Sequence, residues 1–515
     1  MAGKIYLVGA GPGDPGLLTI KGRQALQQAD LVVYDYLANQ RLLEYTRPGV
    51  EHRLVGKHGG GRRVEQDIIN RMLIDEAGRG KIVTRLKGGD PFIFGRGGEE
   101  AEAAANAGID FEIVPGVSSA IAVPAYAGIP LTHRDCASNV VFTTGYEDAT
   151  KPELAVRWEE LGRKGSTLVI LMTQRQLRGN MQKLIAAGRA PETPAAVVSW
   201  GTRAAQKTVV GCIANLAELA EAAGIHPPAL AVVGEVVRLR ERLKWLERKP
   251  LFGRRIVVTR PRAQASAFAE RLESFGAEVV PFPTIETVPP ASFDELDAAL
   301  QRAKEFNWVV FTSVNGVRAF FERLLALDLD IRDWSGARFA AIGPQTARAL
   351  RERGVRLTLV PPEFRAEGLL KAFSEIGVKQ QRILLPRAAG AREILPQQLH
   401  EAGALVEEVI SYRSVVPSDA ADAARADLIA GGADLLTFTS SSTVHNFVTL
   451  CGSQLNDIAK QSLIGCIGPI TADTARSYGM EVHIQPASYT IEAFAEAIVQ
   501  FFARDDRPRS ASGGS

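Results

Sequence analysis

The first 135 residues contain three loops whose residue types suit the binding of a nucleotide-like ligand. They are VGAGPGDPG at residues 8–16, LKGGDPFIFGRGGEE at residues 86–100 and VPGVSSAIAVPAYAGIPLTHRD at residues 114–135. Glycine lets the backbone approach a ligand closely, and the carboxylate of Asp90 can accept hydrogen bonds from an amine or a hydroxyl. Because each loop follows an apolar segment with strand character, the three together predict a shared pocket.

The first loop partly matches the dinucleotide-binding pattern G-x-G-x-x-G. Gly9 and Gly11 occupy the first two glycine positions, but Asp14 stands where a third glycine is needed for close packing of helix on strand. A carboxylate there would also face a pyrophosphate, and Pro12 stiffens the turn. Asp35, which ends LVVYD, imitates the acidic residue that binds a ribose. A nicotinamide-dependent oxidoreductase is therefore the less favoured of two hypotheses for this region.

The elements that must position these loops are short apolar strands alternating with helical segments along all 515 residues. This alternation predicts an α/β fold throughout. A charged helical end followed by Lys-Pro and then Gly marks a boundary. We therefore expect one domain at 1–247 and another at 254–503, joined by a linker at 248–253 and followed by a disordered polar tail at 504–515.

The C-terminal half contains an internal repeat. The segment beginning VVTRPRAQ corresponds to the one beginning ILLPRAAG, WVVFTS to DLLTFTS, and AAIGP to GCIGP, in the same order and at nearly one offset. A duplicated α/β unit predicts two similar lobes with a ligand cleft between them. Hydroxyl-rich turns follow the strand ends and begin helices, whose free N–H groups would bind anions. Substrate contacts are expected from these residues: Arg260, Ser313, Thr346, Arg387, Ser440 and Thr471.

Composition and charge argue against several other function classes. The formal net charge of +2 gives no basis for binding nucleic acid or an anionic membrane. No apolar run approaches the roughly 18 residues of a membrane span, and the N-terminus leads directly into a strand, so we expect a cytoplasmic protein. The four cysteines form no C-x-x-C pair and no cluster with histidine at zinc spacing, so no metal site is predicted.

The motifs of the N-terminal half resemble those of the uroporphyrinogen-III C-methyltransferases, which belong to the tetrapyrrole methylases. They are VGAGPGDPGLLTIKG, ADLVVYD, GKHG, VTRLKGGDPFIFGRGGEE and IPLTHRD, in the family's order over about residues 1–245. The resemblance implies a non-Rossmann enzyme with two α/β domains, here about 1–115 and 116–247. S-adenosylmethionine would bind between them and leave as S-adenosylhomocysteine. The implied cofactor-binding residues are Pro12, Gly88, Gly89, Asp90, Ile93, Ser118, Ser119, Met172 and Gly201.

Two features of this resemblance bear on the chemistry. Family members often carry Thr-Ala where this chain has Ser118 and Ser119, so backbone contacts are expected there. Methyl transfer from a sulfonium to a pyrrole carbon depends mainly on alignment and on exclusion of water. The resemblance implies Asp35 as the proton acceptor and Lys57 of GKHG as the proton donor. The substrate carries many carboxylates, which these nearby basic residues would bind: Arg53, Lys57, Arg62, Arg63, Arg85, Lys87, Arg96 and Arg134.

The C-terminal half resembles uroporphyrinogen-III synthase through its repeat and through the placement of its FTS, IGP and SYRS motifs. The resemblance implies two interleaved, flavodoxin-like lobes, one formed by about 254–286 with 415–503 and the other by 292–408. It also implies that Tyr412 assists the departure of a hydroxyl group and that this half needs no cofactor. A non-catalytic ligand-binding or regulatory module is the alternative for this half.

Together the two resemblances imply a bifunctional enzyme of tetrapyrrole biosynthesis. The C-terminal half would cyclise hydroxymethylbilane to uroporphyrinogen III. The N-terminal half would methylate that product at C2 and C7 to give precorrin-2, for sirohaem or cobalamin. The expected partners are small tetrapyrroles and a second copy of the chain, which would form a homodimer through the methylase half.

Overall fold

The computed structural model describes residues 3–504 apart from short segments along the chain. The segments outside the description are 48, 56–63, 147–155, 163–164, 260–261, 283, 285, 364–365, 392, 416–424, 427 and 430. The described residues form four β-sheets with helices packed against them.

The first sheet is wholly parallel and forms the N-terminal domain of the first half. Its strands, in spatial order, are Glu51–Leu54, Leu31–Tyr34, Ile82–Lys87, Lys4–Gly9 and Asp110–Val114. The helices of this domain are Ile20–Gln28, Gln66–Gly78 and Gly97–Asn106, with 3₁₀ turns at Pro15–Leu17 and Gln40–Tyr45. Parallel strands end at the same edge of a sheet, so the loops at Gly11, Asp35 and Gly88 lie side by side.

The second sheet is mixed and forms the other domain of the first half. Its strands, in spatial order, are Asn139–Thr144, Ser166–Leu171, Ala229–Val233, Pro194–Ser199 and Lys207–Cys212. The first pair is parallel and the remaining pairs are antiparallel. The helices here are Ser119–Tyr126, Trp158–Leu161, Leu177–Ala186, Leu216–Ala222 and Arg240–Leu243, with 3₁₀ turns at Gln174–Gln176, Glu235–Leu239 and Leu246–Arg248.

Two residues of the segment predicted as a linker, 248–253, are packed into the protein, whereas Arg248 and Pro250 are exposed. Leu251 is fully buried and belongs to the core of the next sheet, and Phe252 is 4% exposed. The Leu251 amide donates to the carbonyl of Phe275 at 2.9 Å. An ion pair between Arg41 and Glu273 also joins the two halves directly. The boundary is therefore a structured junction.

The two sheets of the C-terminal half have the same strand order. One contains, in spatial order, the parallel strands Glu278–Pro281, Arg255–Val258, Leu435–Phe438 and Leu463–Cys466. The other contains the parallel strands Leu405–Val415, Arg382–Ala388, Trp308–Phe311 and Arg338–Ala341. The strands of each lobe can be numbered in chain order. The first sheet then has the order 2-1-3-4, and the second sheet has the same order when it is read from Arg338–Ala341 to Leu405–Val415. This is the beginning of the flavodoxin-like order.

Helices pack on both faces of each of these sheets. The first lobe has Arg262–Ser274, Ser441–Cys451, Leu455–Gln461, Pro469–Ser477 and Ile491–Phe502, with a 3₁₀ turn at Gly452–Gln454. The second lobe has Asp294–Gln301, Val314–Ala326, Pro344–Arg351, Ala366–Ile376 and Ile394–Glu401, with 3₁₀ turns at Ala303–Glu305 and Ile331–Trp334. The predicted fold class, a two-domain α/β half followed by a bilobed duplicated α/β half, is confirmed.

The chain crosses between the lobes twice, and the two crossings pair with each other. Strand Glu286–Val288 runs antiparallel to the end of Leu405–Val415, with Thr287 opposite Ser414. Glu286 and Val415, which the sequence places at the limits of the first lobe, therefore lie in the edge ladder of the second sheet. Pairing gives the backbone groups of both crossing strands hydrogen-bond partners.

Candidate active sites

A cavity of about 470 Å³ lies between the two domains of the first half. This volume is in the range of small-molecule and cofactor sites. The first-domain loops contribute Gly11, Pro12, Leu37, Gly88 and Gly89 to its wall. The second domain contributes, among others, Val123, Tyr146, Leu171, Met172, Arg175, Trp200, Gly201, Arg203, Pro227 and Pro228.

Backbone hydrogen bonds join the glycine loops of the cavity to one another. The Gly11 amide donates to the Gly89 carbonyl at 3.1 Å, and the Gly89 amide donates to the Gly11 carbonyl at 2.8 Å. A Cβ atom on Gly9 would lie 2.5 Å from Cα of Gly116. Gly11 and Gly89 have φ of +74° and +70°, a region that favours glycine. The loops that the sequence marked as separate motifs thus form one continuous wall.

The predicted cofactor residues divide into two groups by position. Those that line the cavity are Pro12, Gly88, Gly89, Ser119, Met172 and Gly201. Asp90, Ile93 and Ser118 are absent from the lining among the described residues. Asp90 instead fastens the loops, because its two carboxylate oxygens accept from the amides of Phe92 at 2.8 Å and Gly116 at 2.9 Å. Ser118 caps helix Ser119–Tyr126 by accepting from the Ala120 amide.

The second-domain wall contains backbone conformations that are unusual for residues other than glycine. Met172, Trp200 and Thr202 have φ of +55°, +49° and +71°. Such conformations cost free energy and cluster at functional sites. Gly201, between two of these residues, has no room for a side chain because a Cβ atom would collide with Val123. The wall around Met172 and Gly201 is thus held in a fixed, strained shape.

Asp14, the residue that breaks the dinucleotide pattern, connects the two domains. Its carboxylate accepts from the hydroxyl of Tyr126 at 2.7 Å, and its amide donates to Oγ1 of Thr202 at 3.1 Å. Burial, and then the hydrogen bond to Asp14, raise the pKa of Tyr126, so its hydroxyl remains a donor. The sequence showed Asp14 as a misfit and gave no signal of these contacts, because both partners are distant along the chain.

Asp35, the predicted proton acceptor, is absent from the cavity lining among the described residues but lies beside Gly88, which is part of it. Its Oδ1 accepts from Nη2 of Arg85 at 2.5 Å, and its Oδ2 lies 3.4 Å from the amide of Gly88. The carboxylate is about one-third exposed, so one side of it is open to a ligand. Lys57, the predicted donor, and the neighbouring Arg62 and Arg63 lie outside the described residues.

Arg85 and Lys87, two of the residues predicted to bind substrate carboxylates, are both buried in ion pairs. Both side chains are 3% exposed, and both donate to Oε1 of Glu100, Arg85 at 3.1 Å and Lys87 at 2.9 Å. Although burial disfavours its charge, attraction to Asp35 and Glu100 holds the pKa of Arg85 above its ordinary value. Burial, and then the charge of Arg85, lower the pKa of Lys87.

The remaining basic residues near the methylase motifs lie apart from this cluster. Arg53 pairs with Glu51 and Glu76, and Arg96 pairs with Glu99. Arg134 is exposed. Arg96 and Arg134 are therefore on the protein surface, where the surroundings screen their charges, whereas Arg53 is partly buried against Glu76.

In the C-terminal half, Tyr412 is brought into contact with Ser313. Their hydroxyl oxygens are 2.9 Å apart, and Ser313 also accepts from the Gly316 amide as the cap of helix Val314–Ala326. Tyr412 also lines a cavity of about 210 Å³ together with Thr287, on the first crossing strand. A phenol held by a helix cap at the edge of a cavity is suited to donate a proton.

The other predicted contacts in this half are dispersed. Ser440 caps helix Ser441–Cys451, whereas Thr346 and Thr471 are buried in the first turns of helices and are each 5% exposed. Arg387 is buried and paired with Glu408. Arg260 lies outside the described residues.

No group of three or more histidine, cysteine, aspartate or glutamate residues in the described ranges is placed to hold a metal ion. None of the described helices is both long and apolar enough to cross a membrane.

Comparisons with known proteins match both halves. The family described as Tetrapyrrole (Corrin/Porphyrin) Methylases matches residues 4–217, and the family described as Uroporphyrinogen-III synthase HemD matches residues 266–496. The chain is 37% identical over 499 residues to the porphyrin biosynthesis protein HemD of Ruminiclostridium josui. The aligned region covers 97% of this chain and 98% of that protein.

Two other relatives match the methylase half, and one of them extends beyond it. The chain is 40% identical over 361 residues to the uroporphyrinogen-III C-methyltransferase of Bacillus subtilis (strain 168), covering 70% of this chain and 74% of that protein. It is 51% identical over 239 residues to the S-adenosyl-L-methionine-dependent uroporphyrinogen III methyltransferase of Methanosarcina barkeri, covering 46% of this chain and 94% of that protein. Since both halves match in order and one relative spans the full length, the chain belongs to the family of fused porphyrin-biosynthesis proteins, a tetrapyrrole methylase followed by a uroporphyrinogen-III synthase.

Proposed function

We propose that the two halves catalyse consecutive reactions. The C-terminal half cyclises hydroxymethylbilane to uroporphyrinogen III, and the N-terminal half methylates this product at C2 and C7 to give precorrin-2, a precursor for sirohaem or cobalamin. S-adenosylmethionine is the cofactor of the methylase half, in keeping with the name of the M. barkeri relative. The observation that carries the proposal is the cavity walled by the joined loops of Gly11 and Gly89, with Asp35 beside Gly88 of its lining.

The residues of this cavity fit S-adenosylmethionine. The wall is largely apolar, as suits a flat base, while Arg175 and Arg203 can attract a carboxylate. A Cβ atom on Gly88 would lie 3.2 Å from Cβ of Leu37, which belongs to the same first-domain wall. When bound, the cofactor supplies a methyl group on a positively charged sulfur. We propose Pro12, Gly88, Gly89, Ser119, Met172 and Gly201 as its direct contacts in the cavity and Ile93 as a further contact, with Asp90 and Ser118 supporting the loops.

Asp35 supplies the acid–base chemistry of the methylase half in this proposal. When a pyrrole carbon of the substrate gains a methyl group, the substrate must lose a proton to restore its charge balance. A carboxylate that is part-exposed and held beside the cavity can accept that proton. We propose Lys57 as the corresponding donor.

Tyr412 assists ring closure in the synthase half in this proposal. The terminal hydroxyl group of the linear substrate leaves as water once it receives a proton, and we propose the phenol of Tyr412, which contacts Ser313 and lines a cavity, as the donor. The helix N-termini that follow Ser313 and Ser440 provide free amide donors for the substrate carboxylates. Preorganised donors of this kind hold a flexible polyanion in a closing shape.

One experiment tests both assignments in the whole chain. The protein receives hydroxymethylbilane and S-adenosylmethionine without oxygen, and the products are separated by isomer and methyl content. We expect a dimethylated type-III product from the unmodified chain. Asp35→Asn should slow methylation strongly and let uroporphyrinogen III accumulate, whereas Tyr412→Phe should slow formation of the type-III isomer. A chain that yields only the type-I isomer would contradict the synthase assignment.

We also propose that the methylase half forms a homodimer and that the boundary at 248–253 separates the two activities. Light scattering on the whole chain should give twice the mass of one chain, and a monomer would contradict the proposal.

The four free cysteines are in keeping with a reducing cytoplasm.

A further inference from the structure

A buried cluster of charges lies directly beneath Asp35. It consists of the guanidinium of Arg85, the carboxylate of Glu100 and the ammonium of Lys87. Arg85 is the connection, because it donates to Asp35 through Nη2 and to Glu100 through Nε. The side chain beside the cavity lining is thus linked to one that is completely buried.

Arg85 is held at both ends of its planar group. Nη2 lies 2.5 Å from Oδ1 of Asp35, and Nε lies 3.1 Å from Oε1 of Glu100. Nη1 lies 3.4 Å and 3.3 Å from the carbonyl oxygens of Val33 and Leu86, which belong to neighbouring strands. The rigid fork of a guanidinium transmits such constraints, so the position of the Asp35 carboxylate depends on what fixes Arg85.

Glu100 is the group that fixes the far end. Its side chain is 0% exposed, and Oε1 accepts from Arg85, from Lys87 at 2.9 Å and from Gln66 at 3.1 Å. Glu100 lies in the first turn of helix Gly97–Asn106, where the helix dipole favours a negative charge. Its other oxygen, Oε2, has no hydrogen-bond partner within the described residues. A buried carboxylate with this many cationic partners is strongly constrained, because losing one partner leaves an unbalanced buried charge.

We infer that Glu100 is a positioning residue of the methylase reaction, which acts through Arg85 to hold the Asp35 carboxylate toward the substrate. This inference rests on the proposed role of Asp35 as proton acceptor. Glu100 itself touches neither the cavity wall nor Asp35, so its effect belongs to the chemical step and not to ligand binding.

Neighbouring residues on the same helix provide the test and its control. Glu100→Gln removes the buried charge and keeps the shape, whereas Glu99→Gln removes an exposed charge, which pairs with Arg96 and not with Arg85 or Lys87. We expect Glu100→Gln to lower the methylase kcat by about tenfold to a hundredfold, the scale of effect seen when a catalytic group is slightly misplaced. The KM for uroporphyrinogen III and the affinity for S-adenosylhomocysteine should change by less than about threefold. Glu99→Gln should behave as the unmodified chain.

A second variant covers the case in which Glu100→Gln does not fold. Arg85→Lys keeps a positive charge beside Glu100 and Asp35 but cannot bond to both in one plane. It should also lower kcat with little effect on S-adenosylhomocysteine binding. Thermal unfolding of each variant, with and without S-adenosylhomocysteine, reports whether the cavity is intact.

A double-mutant cycle separates positioning from a merely structural role. If Glu100 acts through Asp35, then Glu100→Gln should reduce the residual rate of Asp35→Asn by less than about threefold. If Glu100→Gln reduced the methylation rate by the same factor in the unmodified chain and in Asp35→Asn, the inference would be overturned. A kcat for Glu100→Gln equal to that of Glu99→Gln would also overturn it. If Asp35→Asn alone keeps the full methylation rate, the proposed role of Asp35 fails and the inference fails with it. Loss of methylation in Asp35→Asn with no effect of Glu100→Gln overturns the inference alone.

Discussion

Individual glycines of the methylase half are required for different reasons, and Gly116 shows the most restrictive one. A Cβ atom on Gly116 would collide with the carbonyl oxygen of Gly89 and lie 2.7 Å from Cα of Gly9. All of these atoms belong to the backbone, so they cannot rotate away. Gly98 is the opposite case, because it lies in a helix and a Cβ atom would meet nothing within 4 Å.

Gly116→Ala should therefore separate the loops that form the cofactor cavity. We expect a loss of roughly 1–3 kcal/mol in the free energy of unfolding, the usual cost of overpacking, and a large loss of S-adenosylhomocysteine affinity measured by calorimetry. Gly98→Ala is the matched control and should be neutral or slightly stabilising, since alanine favours a helix. Equal affinities in the two variants would contradict the close packing of these loops.

Residue types and loop positions could be predicted from the sequence, but the pairing of charges could not. Gly88 and Gly89 follow a strand in the sequence and line the cavity in the structure. Arg85 and Lys87 precede the same loop, yet both are buried and form ion pairs with Glu100, which lies on the next helix. No local pattern shows which cation has a buried partner, because that depends on how the helix packs on the sheet.

At the level of elements, helix caps in the synthase half have both a structural and a chemical use. Ser313 and Thr490 each cap a helix by accepting a backbone N–H, from Gly316 at 3.0 Å and from Ala493 at 3.1 Å. Ser313 additionally contacts the hydroxyl of Tyr412. The two caps thus differ in one respect, which allows the chemical role to be isolated.

Ser313→Ala and Thr490→Ala should destabilise the synthase half similarly, by about 1 kcal/mol each, the usual value of a helix cap. Only Ser313→Ala should also lower the rate of uroporphyrinogen III formation, because it leaves the Tyr412 hydroxyl without its partner. Denaturant unfolding and isomer analysis give the two quantities. The same fall in synthase rate for both variants would show that the effect arises from helix stability alone.

Helix Gln66–Gly78 carries a carboxylate that links stability to pH. Lys81, and then Arg53, lower the pKa of Glu76 from 4.5 to about 2. Because the pKa of Glu76 is lower in the folded than in the unfolded state, ionised Glu76 stabilises the folded protein. This stabilisation is fully present at a pH above the unfolded-state pKa of 4.5, and it is lost as the pH falls toward about 2. Glu76→Gln should therefore flatten the loss of unfolding free energy on acidification, measured by urea denaturation at a series of pH values. The exposed Glu102, changed to Gln, should leave the profile as in the unmodified chain.

At the level of the whole molecule, the junction between the halves is part of a hydrophobic core. Leu251 is fully buried there, while Leu243, only a few residues earlier, is 47% exposed. Leu251→Ala should lower the free energy of unfolding by about 2–5 kcal/mol, as expected for a buried leucine. Leu243→Ala should change it by less than about 0.5 kcal/mol. Similar values for both variants would mean that the junction is a loose tether.

The general architecture could be predicted from the sequence, and its detailed connections only in part. The alternation of apolar strands and helices predicted α/β domains, and the internal repeat predicted two similar lobes, as found. Strand direction is not contained in such a pattern, so the antiparallel pairs of the second sheet were not anticipated. The packing of Leu251 at the junction has no signature in the sequence, because Lys-Pro and Gly are equally typical of flexible linkers.

The paired crossing strands have a consequence for the origin of the synthase half. Strands Glu286–Val288 and Arg413–Val415 occupy equivalent places in the two sequence repeats, and they run antiparallel against each other. Each lobe combines the first strands of one repeat with the last strands of the other, so a single repeat holds half of each lobe. Two separate copies of an ancestral repeat would complete their folds only by exchanging segments, as in a domain-swapped dimer. The synthase half therefore has the geometry of an intertwined pair of ancestors joined into one polypeptide.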